Sequence, residues 1–398
     1  MSGKKRLALF LDGTWNTKND DTNVWRLKSL CTENDDQVCY YSPGVGTQFG
    51  QRVLGGGFGY GLDDEVIRAY QWIMENYHPE DRIFIFGFSR GAFTARSLAG
   101  FISKCGLLRL GSPMSLSQLY ARYREGSTEK TIRELHDAHD DQLSQEERWL
   151  KKYSMRIPIW FQGVWDTVGA LGIPFGHLPK VSRSNYAFLE TDLRINYSRA
   201  YHALAIDEHR KAFSPTLWNK VVEKGAAAFP DRSLSDVEQR WFVGAHADVG
   251  GGYYDGLLAQ RPLQWIMQKA EIHGLKFDLS IEIDGDSSQV PVRDSFAEMS
   301  GGLYRALKFW QPYYREIGAA PEVSGIRSTT TINETIDASV FARWRVNAGY
   351  RPPNVSAWAE RHKVDVAALQ VSVRADDLSV VPVDTAGAVA DTVPASAI

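Results

Sequence analysis

Short, mainly apolar runs punctuate the chain at wide intervals: Leu7 to Leu11, Ile83 to Phe88, Pro158 to Trp165 and Trp241 to Ala245. Each is bounded by polar or glycine-rich sequence, the pattern of strands buried on both faces of a parallel sheet. Between the first two runs, Asp63-Asp64-Glu65-Val66-Ile67 continues through Tyr70, Ile73, Met74 and Tyr77 at helical spacing, with acidic residues in the first turn. Strands alternating with helices predict an α/β fold. From about Leu107 to Arg156 the pattern changes to a charged, helix-forming background around Tyr120, Tyr123, Glu134 and Leu135, which reads as a helical insertion over the sheet and a candidate lid. Leu116, Leu119, Tyr120 and Tyr123 recur on one helical face, either as its apolar underside or as packing on the core. After Gly274 the strand-helix rhythm stops, and Tyr350-Arg351-Pro352-Pro353-Asn354 reads as a fixed turn. The expected organisation is a main α/β domain over 1–275 with an insertion at 107–156, an appendage packed on it over 276–376, and a disordered tail over 377–398.

Composition narrows the class of protein. With 43% hydrophobic and 23% charged residues in 398, the chain can bury a sizeable core. A formal net charge of -3 and the absence of long Lys/Arg runs argue against a nucleic-acid partner. Three cysteines, Cys31, Cys39 and Cys105, are too few for a disulfide framework or a Cys-based zinc site. Lys4-Lys5-Arg6 followed by Leu7 to Leu11 is cut short by Asp12 before it reaches signal-peptide length, and no apolar stretch of about 18 residues is present. The expected location is the cytoplasm, or outside the cell by a route without a cleavable signal, with no transmembrane segment.

The chemistry begins at Gly87-Phe88-Ser89-Arg90-Gly91, a G-x-S-x-G between an apolar run and the helix-forming Ala92 to Ala99. In that context the sharp turn forces the serine into a strained backbone, and glycines two residues to either side remove side chains that would clash. A serine hydroxyl is a weak nucleophile that needs a base, and the base needs an orienting acid. Asp166 follows the Pro158 to Trp165 run, and His246 follows Trp241 to Ala245, giving the order Ser, Asp, His. All three fall at carboxyl ends of expected strands, where open parallel sheets place their ligands. Ser89, Asp166 and His246 are therefore the candidate nucleophile, acid and base. The competing readings are a capping serine in an ordinary turn, a turn-capping Asp166 and a structural His246, with His202 as the substitute base.

Asp12-Gly13-Thr14-Trp15-Asn16 looks like the strand end of a haloacid-dehalogenase phosphatase, but the position of that nucleophilic Asp is Phe10, so that reading fails. Beside the nucleophile turn, backbone N–H groups of Gly13 or Thr14 can join that of Arg90 as oxyanion donors. Asp12 and Asp248 are candidate supporting residues. His246, Asp248 and Asp12 are suitable metal ligands in type, yet no histidine pair or H-E-x-x-H spacing supports a metal, and no cofactor is expected. The aromatic-rich stretch Gly302 to Tyr314 fits either a lipid interface or plain packing.

Taken together, Leu11 to Asn16, Gly87 to Ala92, Gly163-Val164-Trp165-Asp166-Thr167-Val168-Gly169 and Gly244 to Tyr253 resemble the DUF2235 family, which includes the Tle1-type phospholipase effectors of bacterial type VI secretion. Tyr201 to Glu208 with Arg210, and Tyr350 to Asn354, agree with it. The resemblance implies an α/β-hydrolase fold with a mostly parallel sheet and helices on both faces. It further implies a Ser89, Asp166 and His246 triad, a lipid or other ester substrate, peripheral membrane contact and a secretion-apparatus or immunity partner. One departure is Asp337-Ala338-Ser339-Val340, where a His-Pro-Ser-Val-like segment is expected. Two alternatives stay open: an esterase for a small or non-lipid ester, and a hydrolase-fold binding module without turnover.

Overall fold

The computed structural model describes residues 4–13, 20–44, 58–126, 129–168, 199–223, 232–283, 285–295, 311–319, 322–324 and 327–382. Its centre is an eight-stranded sheet: β1 (Arg6–Leu11), β2 (Gln37–Ser42), β3 (Arg82–Phe88), β4 (Phe161–Trp165), β5 (Ala200–Ala205), β6 (Val237–Phe242), β7 (Glu334–Ile336) and β8 (Val373–Arg374). Their order across the sheet is β8-β7-β6-β5-β4-β3-β1-β2. All neighbours run parallel except β8, which pairs antiparallel with β7 at one edge. The fold is α/β with a mostly parallel sheet, as the apolar runs predicted.

Alternation within β1 explains how one apolar run serves two cores. Leu7, Leu9 and Leu11 face one helical layer with Ile83 and Ile85, while Ala8 and Phe10 face the other with Phe84 and Phe86. The first layer contains α2 (Phe58–Asn76) and α3 (Arg90–Cys105); the second contains α1 (Asn23–Leu30) and α8 (Leu257–Ile272). From β1 the chain moves to β2 at one edge and then back across β1 to β3, so the strand order reverses between β1 and β3. That reversal opens a crevice at the carboxyl ends of the strands.

Strand boundaries moved where polar residues concealed a strand. Of the run expected at Trp241 to Ala245, only Trp241 and Phe242 are strand, the tail of β6, which starts at Val237 and carries Glu238, Gln239 and Arg240. Glu238 is buried and pairs with Arg240 and Lys269, and the Gln239 amide bonds backbone groups of Trp218 and Ile332. Charge pairing for Glu238 and hydrogen bonding for Gln239 offset the cost of placing these groups inside the sheet.

Residues 276–376, expected as an appendage, supply β7 and β8 to the central sheet itself, flanked by α9 (Ala338–Val346) and α10 (Pro353–His362). Their core joins Ile336, Phe341 and Trp358 to Leu204 and Trp241 of β5 and β6. The expected tail from 377 is packed as far as 382: Val381 donates its N–H to Ser372 O at 2.9 Å and is buried. The rest of that tail lies outside the described residues.

The insertion forms α4 (Leu116–Arg124), α5 (Ile132–Asp137) and α6 (Gln145–Tyr153). Leu119, Tyr120 and Tyr123, the candidate underside of a lid, are buried against α3, with the Tyr120 and Tyr123 rings 5.3 and 5.2 Å from Phe101. Phe101 is eleven residues along α3 from Arg90, about 16 Å at 1.5 Å per residue. The apolar face of α4 is therefore spent on the core, away from the carboxyl edge.

Candidate active site

The turn after β3 is built by two close approaches. A Cβ on Gly91 would lie 2.1 Å from Leu11 O, and one on Gly87 would lie 2.5 Å from Gly91 O, so only glycine lets β3, β1 and α3 meet here. Between them Ser89 sits at φ 58°, ψ −120°, a conformation that costs a non-glycine residue about 1–3 kcal/mol. Its N–H donates to Trp165 O at 3.1 Å, tying the turn to the end of β4. The strain points the hydroxyl out of the sheet at the head of α3.

One residue beyond Trp165, Asp166 is also left-handed at φ 38°, with its N–H on Ala203 O of β5. His246 begins α7 (His246–Gly250) after β6. The loop that carries it is held by three successive N–H groups, each on a different buried carboxylate. Gly244 donates to Asp207 at 2.7 Å, Ala245 to Asp248 at 2.9 Å and His246 to Glu208 at 3.3 Å. The imidazole then spans the other two residues: Nε2 is 2.8 Å from Ser89 Oγ and Nδ1 is 2.5 Å from Asp166 Oδ2. Phe88 and Phe213 enclose the ring with centroids at 4.7 and 5.1 Å. Since the Asp166 carboxylate accepts at Nδ1, that nitrogen carries the proton and Nε2 is left to accept from the serine.

Asp166 is fully buried and accepts four hydrogen bonds. Oδ1 receives Ala205 N–H at 3.0 Å and Arg315 Nη1 at 2.6 Å, while Oδ2 receives Arg315 Nη2 at 2.9 Å as well as His246. Burial works to raise its pKa, but the Arg315 guanidinium and His246 overcome it and hold the carboxyl well below the usual carboxylate range. Glu208 is similar: burial opposes, and the bidentate Arg210 fork brings it down to about 2. Neither Arg315 nor the role of Glu208 was foreseen from sequence. Arg315 stands 149 residues from Asp166, in a stretch with no local motif.

The remaining candidates separate. Asp12 is buried and fully engaged, with Oδ1 accepting Gly13 N–H at 2.8 Å and Oδ2 accepting Thr22 Oγ1 at 2.7 Å and Tyr41 OH at 2.9 Å. It organises the turn after β1, and the Gly13 N–H, a candidate oxyanion donor, is committed to it. Thr14 lies outside the described residues. Arg90 is the first residue of α3, adjacent to Ser89. Asp248 caps α7 and also accepts Arg293 N–H at 3.2 Å; burial pushes its pKa up to about 6. His202 is no substitute base: it is buried on β5, its Nε2 accepts Thr167 N–H at 3.0 Å, and burial holds its pKa down to about 3.

With this geometry in view, comparison with known proteins places the chain. The family described as "T6SS, Phospholipase effector Tle1-like, catalytic domain" matches residues 5–269. The chain belongs to this Tle1-like family. That agrees with the resemblance carried by its motifs. It is 31% identical over 232 residues to the uncharacterized protein YEL023C of Saccharomyces cerevisiae, a match covering 53% of this chain and 32% of that protein. The chain thus spans about a third of the length of this relative. Among solved structures it is similar to an uncharacterized protein from Pseudomonas aeruginosa, at 19% identity and TM-score 0.40 over 69% of this chain and 47% of the other. It is also similar to the Tle1 effector bound to the VgrG spike of the type VI secretion system, at 20% identity and TM-score 0.34 over 63% and 51%. In this Tle1-like chain Ser89, Asp166 and His246 all lie inside the matched span, whereas Arg315 lies beyond it. No helix among the described residues is long and apolar enough to cross a membrane.

Proposed function

We propose that this Tle1-like chain is a serine hydrolase of lipid acyl esters, phospholipids first among them. The observation that carries the reading is the unbroken contact from Asp166 through His246 to a serine held in a strained turn, at 2.5 and 2.8 Å. The Ser89 hydroxyl attacks the acyl carbonyl as His246 Nε2 takes its proton. The oxyanion that forms is met by the Arg90 N–H at the positive end of α3. Collapse breaks the ester bond, the leaving alcohol takes the proton from His246, and Ser89 is left acylated. Water then gives its proton to His246 and attacks the acyl-serine, releasing the carboxylic acid and restoring the hydroxyl. No metal or cofactor enters these steps.

Family membership supports lipid as the substrate and the type VI apparatus as a partner, whereas the site itself supports only the ester chemistry. The test combines fluorophosphonate labelling of the full chain with product analysis on phospholipid vesicles and on a soluble short-chain ester. Labelling and turnover lost together in Ser89→Ala, with an unchanged melting temperature, are expected. Turnover retained in that variant overturns the mechanism. Turnover of the short ester alone replaces lipid by a small-ester substrate, and absence of labelling in the native chain leaves a non-catalytic module.

A further inference from the structure

Arg315 is fully buried, and four hydrogen bonds leave its fork. Two go to the two oxygens of Asp166, one to Ala205 O at 2.8 Å and one to Phe213 O at 2.6 Å. A buried guanidinium is costly unless its charge is matched, and here the match is the carboxylate that orients His246. The planar fork fixes both Asp166 oxygens at once, so Oδ2 cannot rotate away from Nδ1.

The two carboxylates nearest the imidazole are paired in the same way. Asp166 from β4 faces it with Arg315 on its back. Glu208, after β5, faces its backbone N–H with Arg210 forked on both oxygens. Asp248 on its own helix and Asp207 accept neighbouring backbone N–H groups, and Ser89, Phe88 and Phe213 complete the surroundings. Each of the two nearest carboxylates therefore carries its own guanidinium.

We propose that Arg315 is a positioning residue of the ester hydrolysis: its fork fixes the Asp166 carboxylate against His246 Nδ1, and its charge offsets that carboxylate, so that Nε2 is kept in place to accept from Ser89. This rests on the Ser89, His246 and Asp166 reading above. It also means that the residues from 311 onward, beyond the span shared with the family, complete the site rather than decorate it.

The test is the pH profile of kcat/KM on a soluble short-chain ester for the native chain, Arg315→Gln and Arg315→Lys. Without the guanidinium, the full Asp166 charge faces the ring and favours the imidazolium, so the acid limb in Arg315→Gln moves upward by about one pH unit. The kcat falls at least tenfold, and KM holds, because Arg315 does not touch substrate. In Arg315→Lys the charge survives but the fork does not, so the acid limb stays in place while kcat falls. A folded Arg315→Gln with a native acid limb overturns the inference. If Arg315→Gln does not fold, Arg315→Lys decides: a lowered kcat with native KM and acid limb supports it, and a native kcat overturns it. Fluorophosphonate labelling of the native chain separates the two levels, since an unlabelled Ser89 sinks the hydrolase reading, whereas native labelling with unmoved profiles sinks only the role of Arg315.

Discussion

Asp166→Asn is the most searching single substitution, because the structure prescribes two losses of different kinds. The carboxylate accepts two donors on each oxygen, Ala205 N–H and Arg315 Nη1 on Oδ1, Arg315 Nη2 and His246 on Oδ2. An asparagine has one carbonyl oxygen, so in either orientation its NH2 confronts two donors in a fully buried site, and the Arg315 charge loses its partner. Breaking one side of such a buried pair costs about 3–5 kcal/mol. At roughly 2 °C per kcal/mol in a chain of this size, the melting temperature should fall by about 6–10 °C. The second loss is chemical. With the amide NH2 toward Nδ1, the imidazole holds its proton on Nε2 and cannot accept from Ser89, which costs about 10⁴-fold in comparable triads, or about 5 kcal/mol of barrier. Differential scanning fluorimetry and steady-state turnover of a soluble ester read the two losses on one preparation. A variant that melts within 2 °C of native, or turns over within about tenfold of it, refutes the assignment of Asp166 and the buried pair with it.

Asp248→Asn should behave oppositely: both N–H groups it accepts end on the same oxygen, which an amide carbonyl replaces. Burial raises the native Asp248 pKa to about 6, so the stability its proton contributes is fully present below about pH 4 and lost as pH rises through 6. Urea denaturation should find the variant equal to native at pH 4 and about 2 kcal/mol more stable at pH 7.5, with turnover retained; crippled turnover here with mild effects at Asp166 would transfer the acid role to Asp248. Leu119 and Tyr123 are buried against α3, so changing both to Ser should lower the melting temperature and reduce turnover of lipid and of a short ester alike, at a cost of several kcal/mol. Selective loss on aggregated lipid with native melting would restore a lid role to α4.

The parts of this protein legible in the sequence are those whose cause is local. The apolar runs of β1, β3 and β4 declare a sheet covered on both faces. Gly87, Ser89 and Gly91 declare their turn, because the backbone conformation and the room it needs are set within five residues. Asp166 and His246 could be placed at one edge because each directly follows such a run, and parallel strands put all their carboxyl ends together. What had no local cause stayed hidden. β7 and β8, at three residues and two, are too short to show a period and exist as strands because β6 offers an edge for β7, which in turn pairs with β8. The insertion's tyrosines have the same spacing whether they face a lipid or Phe101, and only packing chose between them. Arg315 is the clearest case: nothing near it in the chain marks a charge fit for burial, and only the fold, by delivering it to a carboxylate 149 residues away, makes it stable there.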